Sequence, residues 1–130
     1  MMNRPLSKEA IDARAAAYCP YSGYAVGAAI LDDNGQVHTG CNVENASSPV
    51  GTCAEVNALS AMVRAGGRRI VGVAVATEDG APPCGSCLQA LAEFVHPSLD
   101  AEVFLVDAAG KEKAFRFAQL LPHRFFGKRG

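Results

Sequence analysis

The sequence lacks any long hydrophobic run. Its longest apolar stretches, residues 25–31 and 70–76, have only seven residues each, whereas a helix that spans a bilayer needs about 20. The first ten residues are largely polar and charged. We therefore expect no membrane association, no export signal and a cytoplasmic location.

A surplus of positive charge is also absent. The formal net charge is -1 at pH 7, and the 12 Lys and Arg residues form no basic stripe. Because proteins bind nucleic-acid polymers largely by neutralising phosphates, such a polymer is not the expected partner. The sequence instead favours a small-molecule ligand.

The cysteine count argues against a disulfide framework. Five cysteines are an odd number in a chain with no expected export signal, which favours metal binding or reactive thiols. At 130 residues and 49% hydrophobic content, the chain can bury one core without disulfides. We expect residues 1–130 to form a single domain.

The first predicted helix begins near Ser7, whose side chain is placed to cap it. Apolar side chains, among them Ile11 and Tyr18, line one face until a proline ends the helix. Residues 25–31 and 36–43 then read as two strands of a tight hairpin. In its turn, Asn34-Gly35 would supply the positive φ angles.

The rest of the chain alternates predicted helices and strands. They are a helix from Thr52 to Gly66, a strand at 70–77, a helix from Cys84, a strand at 101–106, and a short strand with a helical turn in 114–122. This αββαβαβ(β)α order implies right-handed crossovers and a mostly parallel sheet, with the first hairpin as an antiparallel edge. The predicted fold class is α/β, a three-layer α/β/α sandwich with a mixed five-stranded sheet.

Three cysteines lie at the predicted helix starts. Cys53 would open the second helix, and Cys84 and Cys87 would lie in the first turn of the third. Such helix starts meet at one edge of a sheet, where their partial positive charge lowers thiol pKa values. Zinc prefers soft sulfur ligands, and three protein ligands with one open position are typical of catalytic sites. The pattern predicts a catalytic zinc ion.

Cys84 and Cys87 also fit two other interpretations. They could form a thioredoxin-like redox pair, or a structural zinc site with a fourth ligand such as Cys41 or His38. Both of these residues lie in or after a strand with polar neighbours, where each is more often a plain strand residue. Cys19 has no partner pattern and is expected only to pack.

Glu55 follows Cys53 by two residues and could move a proton between water and a substrate. However, Thr52-x-x-Glu55 also matches a capping box. Taken alone, capping would be the more frequent role of such a glutamate. The neighbouring cysteines favour proton transfer.

Five segments together resemble the small, homotetrameric, zinc-dependent cytidine deaminases of pyrimidine salvage. They are YCPYSGYAVGAAI, GCNVENAS, TCAE, PCGSC and LLPHRF, and they cover nearly the whole chain. The resemblance implies a cytidine deaminase-like fold and one zinc ion per chain, held by Cys53, Cys84 and Cys87. Glu55 would be the proton shuttle.

The resemblance also implies the substrate contacts. Asn42 and Glu44 would bind the ribose hydroxyls, Tyr24 stands where the family usually has a pocket Phe, and Ala54 would line the pocket. Phe125 would stack on the base from a neighbouring subunit. From spacing alone, Asn42 and Glu44 point to one face of a strand end. Such residues more often face water. The plain alternative for Phe125 is an aromatic near the C-terminus that packs on its own core.

The implied activity is hydrolysis of a cytosine nucleoside, cytidine or deoxycytidine, to the uracil nucleoside and ammonia. The chain departs from the family at Val56-Asn57, where Arg-Thr is common, at Ser48 for a common Tyr, and at Leu88 for a common Arg. The substrate could therefore be another aminopyrimidine or a cytosine-bearing antibiotic of the blasticidin type. The cysteine pattern would also fit a non-catalytic structural zinc module or a dithiol redox protein.

Overall fold

The computed structural model describes residues 5–127. Its elements are α1 (Leu6–Arg14), β1 (Gly27–Asp32), β2 (Val37–Cys41), a 3-10 turn (Ser48–Val50), α2 (Ala54–Arg64), β3 (Ile70–Ala76), α3 (Gly85–Ala92), β4 (Glu102–Val106), β5 (Glu112–Arg116) and α4 (Phe117–Leu120). The predicted order of elements is confirmed. The predicted domain also includes residues 1–4 and 128–130, which lie outside the described part. Within the described part, every helix is too short or too polar to cross a bilayer.

The five strands form one mixed sheet in the order β2-β1-β3-β4-β5. Among the described strands, β3 and β4 are the only parallel neighbours, and the other three pairs are antiparallel. The mixed sheet is confirmed, but the expectation of a mostly parallel one is wrong. The first crossover connects β2 to β3, but β1 lies between them and is antiparallel to both. A second hairpin adds β5 antiparallel to β4 at the far edge.

Helices cover both faces of the sheet, which confirms the three-layer sandwich. On the central strand β3, Val73 and Val75 pack into a large apolar cluster with α2 and α3. The alternate residues Ala74 and Ala76 pack into a smaller cluster with α1 on the opposite face. This alternation follows from the two-residue period of a strand.

Two glycines let the helices lie directly on the strands. A Cβ atom on Gly27 would be 2.1 Å from the carbonyl oxygen of Ala10 in α1. On the other face, a Cβ atom on Gly40 would be 2.5 Å from the backbone nitrogen of Ala58 in α2. These close approaches fix α2, and with it the residues at its start, against the hairpin.

The first helix differs from the sequence prediction. Pro5 is its N-cap, with no capping side chain, and Ser7 is buried and donates its hydroxyl hydrogen bond to Glu112. Ile11 is exposed, and Tyr18 lies beyond the end of the helix and is also exposed. The close backbone contact with β1 explains the difference, because it accepts small residues rather than a row of large apolar ones.

The hairpin turn is only partly as predicted. Gly35 has the expected positive φ of 81°, but the φ angle of Asn34 is not positive. The Asp32 carboxylate instead accepts hydrogen bonds from the backbone N–H groups of Asn34 and Gln36, at 2.9 and 3.0 Å. A buried side chain thus holds the turn that the sequence assigned to backbone conformation alone.

Candidate functional site

Three cysteine thiols meet where α2 and α3 begin. Cys53 and Cys84 are the N-caps of these helices, and Cys87 is the third residue of α3. Their sulfur atoms all lie within 4.8 Å of one another. The second helix begins at Ala54, one residue after the predicted opening residue Cys53. The sequence nevertheless correctly indicated that these three thiols would converge.

The three thiols fit a zinc ion. Zinc–sulfur bonds of about 2.3 Å in a tetrahedron place the sulfur atoms about 3.8 Å apart, so the observed separations need only small side-chain movements. Neither Cys41 nor His38 belongs to this group, and the His38 ring nitrogen Nε2 instead lies 2.8 Å from Asp32 Oδ2. Among residues 5–127, no fourth cysteine or histidine joins the group to complete a four-ligand structural site.

The thiols differ in how readily they ionise. The backbone N–H of Cys87 lowers the pKa of Cys84, against the opposing effect of burial. Burial raises the pKa of Cys53 and, more strongly, that of Cys87. A bound metal ion must displace the protons of these thiols, so its affinity should fall as the pH falls.

Glu55 is the second residue of α2, and only 5% of it is exposed. Burial raises the pKa of Glu55, although its own backbone N–H and the Cys87 thiol donate hydrogen bonds that oppose the shift. No side chain caps α2, so the capping-box interpretation is wrong. Thr52 lies before the cap and accepts a hydrogen bond from Asn57 Nδ2 at 3.0 Å. A buried carboxylate whose pKa is raised holds a proton more readily than an exposed one, which suits a group that transfers protons.

A cavity of about 850 Å³ opens beside the thiols and Glu55, a size typical of small-molecule sites. The three cysteines line it, as do four residues that the resemblance placed in the substrate pocket, namely Tyr24, Asn42, Glu44 and Ala54. Among the described residues that line this cavity, none is Lys, Arg or His. The cavity thus joins the thiol cluster to a largely neutral and acidic pocket.

Asn42 and Glu44 are held in place by the protein. Asn42 donates from Nδ2 to the Tyr24 carbonyl oxygen at 2.8 Å, and its Oδ1 accepts from the Val26 N–H at 2.9 Å. Glu44 accepts hydrogen bonds from the hydroxyl and backbone N–H of Ser22 and from the N–H of Tyr21. The Ser22 hydroxyl lowers the pKa of Glu44. Both side chains are thus oriented at the cavity wall rather than simply solvated.

Ser22 and Thr77 are polar residues of the cavity wall that the sequence did not single out. Ser22 lines the cavity and orients Glu44. Thr77, which is 3% exposed, lines it from the end of β3. Its place at the end of a central strand was a usable signal, because ligands bind at such ends. Ser22 had no comparable signal outside the family segment that contains it.

Phe125 lies outside this cavity and is 75% exposed. Its backbone N–H and carbonyl pair with the side-chain amide of Gln89 in α3, at 3.1 and 3.0 Å. The neighbouring Arg124 donates to the carbonyl of Ala92, the last residue of the same helix, and to that of Val95 just after it. Phe125 is thus not a core residue, and within one chain it does not complete the cavity.

Most departures from the family pattern lie away from the cavity. Val56 is half-buried on α2, Leu88 is buried in the core, and Asn57 donates a hydrogen bond to the Cys41 carbonyl at 2.8 Å. Ser48 is the one of these four positions that lines the cavity. Three of the four departures therefore lie outside the lining of the cavity beside the thiols.

Sequence comparison agrees with this geometry. A family model described as the cytidine and deoxycytidylate deaminase zinc-binding region matches residues 2–103. A cytidine deaminase of Halalkalibacterium halodurans is 42% identical over 127 residues, which cover 96% of this chain and 95% of that protein. A cytidine deaminase of Mycobacterium tuberculosis is 41% identical over 122 residues, covering 92% and 86% respectively.

Solved structures show the same similarity. The crystal structure of cytidine deaminase from Burkholderia pseudomallei superposes with a TM-score of 0.86 at 38% identity, covering 96% of this chain and 100% of that chain. The structure of cytidine deaminase from Mycobacterium leprae gives a TM-score of 0.77 at 39% identity, covering 91% and 95%. The similarity thus extends well beyond the segments that carry the cysteines.

Proposed function

The chain belongs to the cytidine and deoxycytidylate deaminase family, and we propose that its substrate is a cytosine nucleoside, cytidine or deoxycytidine. It is a zinc-dependent hydrolytic deaminase, and the proposed products are the uracil nucleoside and ammonia. One observation carries the proposal: the converging thiols and the buried Glu55 carboxylate lie at the wall of one cavity that also presents Asn42 and Glu44.

In the proposed site, Cys53, Cys84 and Cys87 hold one zinc ion per chain. When bound, zinc supplies the Lewis acidity that makes water a nucleophile at neutral pH. Within the protein, the backbone N–H groups at the start of α3 partly offset the negative charge of the thiolates, as the lowered pKa of Cys84 indicates.

Glu55 is the proposed proton carrier. Its carboxylate takes one proton from the attacking water and gives it to ring nitrogen N3. Once the C–O bond has formed, the carboxylate takes the second proton of the former water and gives it to the departing amine. The C–O bond at C4 forms first and the C–N bond then breaks, so one water is consumed and one ammonia is released. The raised pKa of Glu55 suits a group that must both accept and donate a proton.

Asn42 and Glu44 are the proposed ribose contacts. This role predicts that replacing them lowers activity on a nucleoside more than activity on free cytosine. Glu44→Ala should lower kcat/KM for cytidine by about tenfold to a hundredfold, because a sugar hydroxyl loses a charged acceptor. The measurement is kcat/KM for cytidine and for free cytosine. Cytosine should be a poor substrate of the wild type and should be much less affected by the change.

Glu44→Gln and Asn42→Ala are the matched variants for this test. The first keeps one acceptor oxygen and should lose less activity than Glu44→Ala. Glu44 also holds the backbone of Tyr21 and Ser22. A general loosening of this loop would therefore lower kcat/KM equally for cytidine and for cytosine. Equal losses, or equal turnover of cytosine and cytidine by the wild type, would remove the ribose role.

The lining of the cavity disfavours phosphorylated substrates. Proteins usually bind phosphate through Arg or Lys, and the described cavity lining contains neither. The Glu44 carboxylate would in addition repel an anion near the sugar. We therefore propose that the chain uses nucleosides rather than nucleotides such as deoxycytidylate.

A panel of substrates tests the proposed function. Ammonia release is measured with cytidine, deoxycytidine, cytosine, deoxycytidylate and a cytosine-bearing antibiotic, with and without a zinc chelator. We expect the two nucleosides to be used at least about tenfold better than the nucleotide, and chelation to stop turnover. Faster deamination of the antibiotic would instead identify an antibiotic deaminase.

We further propose that the enzyme is a cytoplasmic homotetramer of pyrimidine salvage, in which Phe125 completes a neighbouring cavity. The support is an aromatic tail that Gln89 holds on α3 while Phe125 and Phe126 remain 75% and 65% exposed. A single chain of 13.5 kDa leaves the cavity open, and a second copy could close it.

Light scattering should give the mass of four 13.5 kDa chains at assay concentration. Phe125→Ala should lower turnover because a neighbour's pocket loses an aromatic wall. The exposed Leu99 provides the control, since Leu99→Ala removes apolar surface elsewhere and should leave activity intact. A fully active monomer would contradict the shared site.

A further inference from the structure

A hydrogen bond joins Tyr24 of the cavity wall to a loop that is far away in sequence. The Tyr24 hydroxyl donates to Asp79 Oδ1 at 2.7 Å. Tyr24 lies in the segment before β1, and Asp79 lies in the loop between β3 and Cys84. We call this hydrogen bond the Tyr24–Asp79 latch.

The Asp79 side of the latch is a tight turn fixed to the sheet. Thr77 is 3% exposed at the end of β3, and its hydroxyl oxygen accepts the N–H groups of Gly80 and Ala81 at 2.7 and 3.1 Å. Asp79 Oδ1 also accepts from the Thr77 hydroxyl and the Ala81 N–H, each at 3.3 Å. The carboxylate is therefore a defined anchor, although it is exposed.

The Tyr24 side is connected to the proposed ribose contacts. The Tyr24 N–H donates to Ser22 Oγ at 3.0 Å, and its carbonyl accepts from Asn42 Nδ2 at 2.8 Å. These contacts hold the backbone, while the half-buried ring lines the cavity. The hydroxyl at the ring's far end is held by Asp79. The Tyr24 hydrogen bond lowers the pKa of Asp79, so the acceptor is ionised at neutral pH.

We propose that Asp79 is a positioning residue that holds the Tyr24 ring in place as a wall for the nucleoside, and so lowers KM. This inference rests on the proposed function of the cavity. A ring tethered at both ends is already ordered before the substrate arrives, and such preorganisation reduces the cost of binding. The reaction itself uses Glu55 and the thiol cluster, so kcat depends much less on the latch.

Kinetics of single and double variants test the latch. Tyr24→Phe and Asp79→Ala should each raise KM for cytidine by about threefold to tenfold, the usual effect of one lost hydrogen bond. The kcat should change by less than about twofold. Because both changes break the same bond, the double variant should resemble either single variant. Asp79→Asn keeps an acceptor oxygen and should largely restore the low KM.

Two surface changes provide matched controls. Tyr18→Phe removes a hydroxyl from an exposed tyrosine that makes no hydrogen bond with a described side chain, and Glu78→Gln removes the neighbouring exposed charge. Both should leave KM near the wild-type value. A rise in KM for Glu78→Gln equal to that for Asp79→Ala would show that general charge, and not the latch, determines binding, and would overturn the proposal.

Hydrogen exchange supplies a readout that does not need activity. Tyr24→Phe should speed amide exchange at Gly80 and Ala81 by about threefold or more, although these amides lie in the loop after β3, far from Tyr24 in sequence. Unchanged exchange there, or additive KM changes in the double variant, would overturn the latch. A zinc-loaded wild type that deaminates no cytidine would instead overturn the proposed function, so the two failures are distinguishable.

Discussion

Glu55→Gln should lower kcat for cytidine by at least about a hundredfold, the lower range for loss of a positioned acid–base group. The amide fills the same space beside the thiols but cannot accept a proton from water. Because the wild-type carboxylate is buried and its pKa is raised by that burial, removing its charge should not lower the free energy of unfolding. The measurements are ammonia release, zinc content and thermal unfolding of the same preparation.

A surface change controls for the loss of a carboxylate as such. Glu102→Gln alters an exposed residue of β4 and should leave kcat unchanged. If Glu55→Gln kept its turnover and lost only about 1 kcal/mol of stability, Glu55 would serve the helix start and not the reaction.

Cys87→Ala should weaken zinc binding by at least about a hundredfold, which exceeds the usual effect of changing an outer-shell partner of a metal ligand. Cys87 is the buried member of the thiol cluster, so its loss leaves two exposed sulfurs, too few for a stable tetrahedral site. Turnover should fall with the zinc content. Zinc affinity by chelator competition and cytidine turnover are measured on the same samples.

Two free cysteines outside the cluster serve as controls. Cys19→Ala and Cys41→Ala should retain full zinc content, because neither thiol belongs to the described cluster. X-ray absorption of the wild type should show three sulfur ligands and one lighter atom. Four sulfurs, with zinc lost from Cys41→Ala, would identify a structural site and remove the open position that hydrolysis needs.

The thiol cluster was predictable because its signals are local. Cysteines spaced three apart, and another before an apolar helix, sit at helix starts that topology brings to one edge of the sheet. The capping-box interpretation of Glu55 was wrong by one residue. Because α2 begins at Ala54, its N-cap is Cys53, and Thr52 lies before the cap. Element boundaries depend on tertiary contacts that local patterns do not contain.

Features that depend on distant contacts were not predictable. The buried face of α1 is determined by the missing side chain of Gly27, which lies on a different element. The hydrogen bond between Tyr24 and Asp79 joins residues 55 positions apart. Both need the completed sheet before the partners meet, so no periodicity along the chain indicates them.

The exposed position of Phe125 explains why its proposed role follows from the resemblance and not from the fold of one chain. Its backbone is fastened to Gln89, but its ring points away from the core. A single-chain pattern gives no information on what a second copy places there. Measuring the mass of the protein in solution is therefore the test of the proposed shared cavity.

Zinc titration of the metal-free enzyme tests the central claim most directly. Zinc is added stepwise, and uridine and ammonia formed from cytidine are measured together with bound metal. Uridine and ammonia should appear in equal amounts, and activity should rise with bound zinc until it reaches a plateau at one ion per chain. Protein that binds one zinc ion per chain and forms no uridine at any zinc concentration would contradict the account.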